Sequence, residues 1–184
     1  MEEEVLRLYT IQPQVLWDTL QKDGIVRVDS WRTDRDFVRA YHWLKLQMKK
    51  RIRGYRGGDL FWAWVEKPLF EDYYLWGKPG EHKVCLELLI PARRALLSDF
   101  DLWHCVLNGW DLTLTEKEFD NIGRRKMSSS YRRERSKSWE KIFDLTLTDK
   151  YIDWLGGNVQ VQATFEYFCQ DEVISVEYFD ARMK

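Results

Sequence analysis

The stretch Gln160-Val161-Gln162-Ala163-Thr164-Phe165-Glu166 alternates strictly between polar and apolar residues. A strand turns successive side chains to opposite faces. Gln160, Gln162, Thr164 and Glu166 therefore share one face, and Val161, Ala163 and Phe165 the other. Four hydrogen-bonding side chains in a row can line a polar cleft, or form the wet face of an ordinary strand. Glu166 is the ionisable member of the row and the best single candidate for catalysis. Trp62 and Trp64, in Phe61-Trp62-Ala63-Trp64-Val65, also point one way. They offer flat rings to a base or a nicotinamide, or to a core.

Two further clusters carry chemistry. Asp99, Asp101 and His104 could hold a divalent cation. The same residues suit the start of a helix, where carboxylates satisfy free N–H groups and the dipole. The cap reading is preferred, because a metal site needs further ligands that the sequence does not supply. In Gly123 to Lys137, seven of fifteen residues are basic and Glu134 is the one acid. Arg124, Arg125, Lys126, Arg132 and Arg133 are the candidate phosphate or nucleic-acid contacts, with Tyr131 available to stack. The alternative is a solvated loop, and 123–137 is expected to be a mobile basic loop.

The elements that must position these residues can be sketched. Leu6 to Ile11 reads as a first strand. Pro13 opens a helix through Val15, Leu16, Thr19 and Leu20, which Gly24 stops. Ile25 to Val28 is a short strand. Thr33 with Asp36 caps a second helix, whose apolar stripe is Phe37, Ala40, Tyr41, Leu44, Met48 and Ile52 and whose end is Gly54. Strands follow at 59–66 and 83–90, separated by an aromatic loop at 68–79. Asp99 or Ser98 caps a helix to Leu107, and Thr115 with Glu118 caps another. Trp139, Ile142, Phe143 and Leu145 return to a core. Val159 to Phe168 and Ile174 to Phe179 read as two final strands. The fold class is α+β: an N-terminal strand and helices packed on a mainly antiparallel, strongly twisted sheet.

Composition narrows the rest. The chain has 184 residues, enough for one sizeable core, and a single domain over 1–184 is expected. Its net charge of −1 gives no global field toward nucleic acid or membrane, so any such attraction is local. No apolar run approaches the roughly 20 residues of a membrane span, and the acidic N-terminus is unlike a signal peptide. A cytoplasmic protein with no membrane partner is the expectation. Cys85, Cys105 and Cys169 show no ligand spacing and read as buried thiols. Ten tryptophans exceed what one small core requires, so some rings should line a cleft or a protein-partner surface. Nucleotide-binding glycine loops, the P-loop, His-Glu-x-x-His and Gly-x-Ser-x-Gly are all absent.

Leu8-Tyr9-Thr10-Ile11-Gln12 followed by Trp17, Leu20 and Gly24, then Ala40-Tyr41-His42-Trp43, Trp62-Ala63-Trp64, Leu97 to His104 and Gln162 to Phe165, resembles an uncharacterised family of bacterial and phage proteins. More distantly, a Tyr-Thr strand, a helix and a glycine turn look like the start of ADP-ribosyltransferase-like domains. That resemblance implies a nucleotide cleft, NAD as substrate, and a late strand carrying the catalytic glutamate. It implies that Tyr9 and Thr10 bind nucleotide and that Gln162, Thr164 or Glu166 sits at the catalytic strand; the ligand-binding candidates are thus Tyr9, Thr10, Gln12, Tyr41, Trp62, Trp64 and Thr164, and the catalytic ones Glu166 and Gln162. Where such domains have Gln-Ala-Glu, this chain has Gln162-Ala163-Thr164. Threonine supplies no negative charge, and Glu166 lies one pleat on, about 6 to 7 Å along the strand.

The first functional expectation is thus an ADP-ribosyltransferase-like protein acting on NAD. The second is a non-enzymatic nucleotide or nucleic-acid binding protein, suited to a role in phage–host conflict. A third is an interaction module whose aromatics contact a protein.

Overall fold

The computed structural model describes residues 3–28, 36–69, 77–151, 154 and 160–181. The expected cap at Thr33, most of the aromatic loop at 68–79 and the strand start at Val159 lie outside them. Contacts gather the chain into two compact units. The first comprises Met1–Trp31, Met48–Leu96 and Gln162–Lys184; the second comprises Arg32–Gln47 and Leu97–Val161. No helix among the described residues is long and apolar enough to cross a membrane.

β1 (Val5–Pro13) runs into α1 (Gln14–Asp23) through Pro13. Gly24 stops the helix with φ 74°, returning its N–H to Leu20 O. Side chains other than glycine rarely adopt that left-handed conformation, which is why the stop is legible. β2 (Ile25–Arg27) follows, then α2 (Val38–Arg51), β3 (Phe61–Trp64), β4 (His82–Pro91) and β5 (Leu96–Asp99). α3 (Phe100–Leu107), α4 (Glu116–Asp120), α5 (Ile122–Lys126), α6 (Tyr131–Ser138) and α7 (Leu147–Lys150) come next. The chain ends in β6 (Val161–Phe165), β7 (Tyr167–Cys169) and β8 (Val173–Asp180). It is an α+β protein.

The main sheet has the order β5-β6-β3-β1-β4-β8, and β2 pairs with β7 in a second, two-stranded sheet. β1–β3, β1–β4, β3–β6 and β4–β8 are all antiparallel. In the first unit the register sorts side chains between two faces. Leu8, Leu86, Leu88, Ile90, Ala63 and Phe165 fall on one face and are buried. The rings of Phe61, Phe165 and Phe168 meet there, with Phe61 and Phe168 edge to face at 4.9 Å. α1 contributes buried Trp17 and Leu20, and Trp17 Nε1 donates to Tyr178 Oη at 2.8 Å. Val15, on the same helix, is exposed.

The late strand read as continuous over 159–168 is divided. β6 stops at Phe165, Glu166 forms a bend, and β7 leaves for the second sheet to pair with β2. The three cysteines are free, as expected, but only Cys85 is buried; Cys105 and Cys169 are half-buried.

The second unit has an aromatic core. Trp43 stacks on Phe143 at 5.8 Å and meets Trp139 edge-on at 5.5 Å. Tyr41 meets Trp103 edge-on at 5.8 Å. Such pairs add roughly 0.5–1.5 kcal/mol each beyond the area they bury.

Candidate functional site

Two places gather the candidate residues, one in each unit. In the first unit, cross-strand pairing sets Gln162 opposite Trp64, Trp64 opposite Tyr9, and Tyr9 opposite Glu87. Directly paired residues share a face. Tyr9, Trp64 and Gln162 therefore form one row, and the pair Trp62–Thr164 lies beside it on the same face. Gln162 and Thr164 are buried, while both tryptophans are half-buried. Tyr9 Oη donates to Glu87 Oε1 at 3.4 Å.

Thr10 and Gln12 do not join this row. Strand alternation turns them to the opposite face. Thr10 is buried, its hydroxyl donating to Trp62 O at 2.7 Å, and Gln12 Nε2 donates to Thr10 Oγ1 at 2.7 Å. Tyr41 belongs to the second unit's aromatic cluster.

Glu166 is held by backbone. Its Oε1 accepts from Gly58 N–H at 2.8 Å and its Oε2 from Arg56 N–H at 3.2 Å. Arg27 Nη1 lies 3.9 Å from Oε2. These bonds explain the bend: the carboxylate anchors the 54–58 turn where the chain changes sheets. The neighbouring Tyr55 donates to Gly58 O at 2.5 Å, and burial followed by the charges of Glu166 and Asp59 pushes its phenol up to about 12.

The second place is the basic stretch 123–137, which forms α5 and α6. The side chain of Asp111 orders it and is only 2% exposed. Tyr131 Oη donates to Asp111 Oδ2 at 2.5 Å, and Arg125 Nη2 lies 3.2 Å from Oδ1. Oδ1 has no aligned hydrogen bond, so this contact is an ion pair. Arg125 Nε is also 3.6 Å from Glu134 Oε2. Arg135 lies over the rings of Tyr131 and Trp139 at 5.5 and 5.6 Å. In contrast, Arg124, Lys126, Arg132, Arg133 and Lys137 are exposed, with no ion pair among the described residues.

Beside these helices is a cleft of ≈ 1070 Å³. Leu112, Leu114 and Leu147 give it apolar wall, with four cations (Lys117, Arg125, Lys137, Lys141) and four anions (Glu118, Glu134, Glu140, Asp144) around them. Burial pushes the Glu118 carboxyl up. The Leu114 N–H and the Lys141 ammonium, 2.8 and 3.2 Å away, outweigh it and hold the group below the usual range. Trp110 N–H donates to Cys105 O at 2.8 Å, and beyond it the extended segment 110–114 is tied down by side chains. Leu112 N–H donates to Ser138 Oγ, and Leu114 N–H to Glu118 Oε2. Trp110 O, Leu112 O and Thr113 O accept from Trp139 Nε1, Lys141 Nζ and Trp154 Nε1.

The Asp99, Asp101, His104 cluster sits at the start of α3. Asp99 Oδ1 accepts from Leu102 N–H at 2.9 Å, the bond of a helix cap. His104 Nδ1 is 3.0 Å from Phe100 O in its own helix.

Asp111 was not singled out from sequence. Its signal is an acid inside the apolar run Trp110 to Leu114, upstream of the basic stretch. Arg27, Arg94 and Tyr167 were also passed over. Both guanidinium groups lie over the Tyr167 ring, at 4.4 and 4.2 Å.

No curated protein and no solved structure matches the chain. The family described as Domain of unknown function (DUF3841) matches over residues 7–174, and the chain belongs to that family.

Proposed function

We propose that this protein binds nucleic acid, without chemistry, through the surface of α5 and α6. One contrast carries the reading. Within a single basic run, Arg125 is engaged by Asp111 and Glu134, while Arg124, Lys126, Arg132, Arg133 and Lys137 stand exposed with no ion pair among the described residues. The buried pair orders the helices; the unpaired cations are left for phosphates, whose neutralisation releases counterions. The cleft lining is balanced in charge, so the polyanion follows the outer helical surface. Trp110, 61% exposed beside Asp111, offers a ring to an unpaired base. The test is binding to a labelled oligonucleotide across a salt series, for the wild type and for a variant with these five cations changed to Gln. Equal binding by the two proteins, or none by either, sinks the proposal.

A second reading is favoured by the row of Tyr9, Trp64 and Gln162 beside Trp62 and Thr164: an ADP-ribosyltransferase-like cleft acting on NAD. It asks Glu166 to serve as the catalytic carboxylate, although both oxygens already accept from backbone amides. Incubation with NAD tests it. Nicotinamide release by the wild type and its loss in Glu166→Gln support it; no release counts against it.

A further inference from the structure

The two sides of α6 are chemically distinct. Tyr131 bonds to Asp111, Glu134 faces Arg125, Arg135 lies over Trp139, and Ser138 Oγ accepts from Leu112 N–H. Residues 131, 134, 135 and 138 recur at helical spacing, so one face is turned against the rest of the unit. Arg132, Arg133, Ser136 and Lys137 make up the other face, which is wholly polar. It offers cations and a hydroxyl, and no apolar stripe to lie in a membrane surface.

Large apolar side chains nevertheless stand exposed among the same elements. Met127, at the turn between Lys126 and Ser128, is 90% exposed, Trp110 61%, and Phe119, in α4, 57%. Trp110 matters most, because its backbone is fixed on both sides. Its N–H donates to Cys105 O at 2.8 Å, and its O accepts from Trp139 Nε1 at 2.6 Å. Trp139 carries Arg135 of α6 over its ring, and Asp111, the residue after Trp110, holds Arg125 and Tyr131. The indole is thereby tied to both basic helices through its backbone, while its ring is left in water.

Charge and stacking make opposite demands on the ligand. Phosphate attraction alone favours a duplex, whose charge density is higher: about 0.9 counterions are released per contact, against about 0.7 on a single strand. A duplex, however, stacks its bases on one another and shows Trp110 no free ring face along its length. A single strand exposes the face of every base, and any base can stack on an aromatic ring.

We infer that the nucleic acid taken by this surface is single-stranded, with phosphates on the outer cations of α5 and α6 and one base stacked on Trp110. This ligand class rests on the nucleic-acid reading of α5 and α6 and adds selectivity to it. The cations hold either form, and Trp110 selects the single strand.

Fluorescence anisotropy tests this with the full chain and a labelled strand of about 20 nucleotides, longer than the site of a typical single-strand groove. The blunt duplex of the same sequence is compared at matched salt. The expected result is about tenfold tighter binding of the single strand, the worth of one stacked base. Trp110→Ala, at an exposed position whose backbone bonds remain, weakens single-strand binding about tenfold and leaves duplex binding unchanged; Trp110→Phe recovers most of the loss. Trp110→Ala also leaves the slope of log K against log salt as it was, since a stacked base releases no counterion. A reduced slope is the mark of the five-cation variant instead. Equal or tighter binding of the duplex overturns the inference, as does a Trp110→Ala variant that binds the single strand like the wild type. In both of those cases, loss of binding in the five-cation variant keeps the nucleic-acid reading intact. No binding to either form removes both. Association with vesicles of phosphatidylserine and phosphatidylcholine in place of nucleic acid also removes both and assigns the surface to a membrane.

Discussion

Arg125 reaches back to Asp111, its Nη2 lying 3.2 Å from a carboxylate oxygen that is almost wholly buried. Removing the guanidinium leaves that charge buried, with Tyr131 as its remaining partner. Arg125→Gln should therefore cost about 3 kcal/mol of stability. Its neighbour Arg124 is exposed with no ion pair among the described residues, so Arg124→Gln should stay within about 0.5 kcal/mol of the wild type. Urea unfolding of the two variants checks this, and equal midpoints would refute it.

The same contrast predicts a salt dependence. Five exposed cations meeting phosphates give a slope of log K against log salt of up to about −4.5 on duplex DNA and −3.5 on single strands. Restoring Arg132 and Arg133 to the five-cation variant should recover about two-fifths of the slope. Restoration without any change in slope would place the phosphate contacts elsewhere.

Tyr55 predicts an alkaline limit. Its folded pKa, about 12, lies above the unfolded value near 10, so the folded state holds the proton more tightly. Stability from this group is full below about pH 10 and is lost as pH rises toward 12. Tyr131 acts in the same direction, raised first by burial and then by its bond to Asp111. Tyr55→Phe should flatten the fall in melting temperature between pH 10 and 12. A fall as steep as the wild type's would show that the phenol does not contribute.

Gly58 and Glu166 should be coupled. A Cβ built at Gly58 comes within 2.7 Å of Glu166 Oε1 and 3.2 Å of its Cγ. Gly58→Ala must push the carboxylate off two backbone amides, at a cost of about 1–3 kcal/mol. With Glu166→Ala already in place there is nothing to displace, so the second substitution should cost almost nothing. Additive losses in this double-mutant cycle would break the argument.

Local chemistry made parts of this fold legible. Gly24, the Asp99 cap and the Thr115–Glu118 cap each act within a few residues, so sequence spacing exposes them. Glu118 shows the limit: Thr115 Oγ1 accepts from Glu118 N–H as expected, but the Glu118 carboxylate turns to Leu114 N–H. Glu166 was read by alternation as one more residue on the face of Thr164. Its amide partners lie 108 and 110 residues earlier, and no local pattern reports them. Alternation was sound for Gln162 and Thr164, and it also separates Tyr9 from Thr10, which the resemblance had grouped. The order of α5 and α6 was hidden because it depends on Asp111, twenty residues from Tyr131.

Segment 110–114 has one more consequence. Its amides at Leu112 and Leu114 are shielded by the side chains of Ser138, the last residue of α6, and Glu118, within α4. Neither has a ladder of neighbouring strands to fall back on. Each amide proton can exchange with solvent when its helix lifts away, whether or not the rest of the unit opens. The Leu112 amide is thus a built-in clock for the docking of α6, and it should slow when a ligand holds the basic helices down.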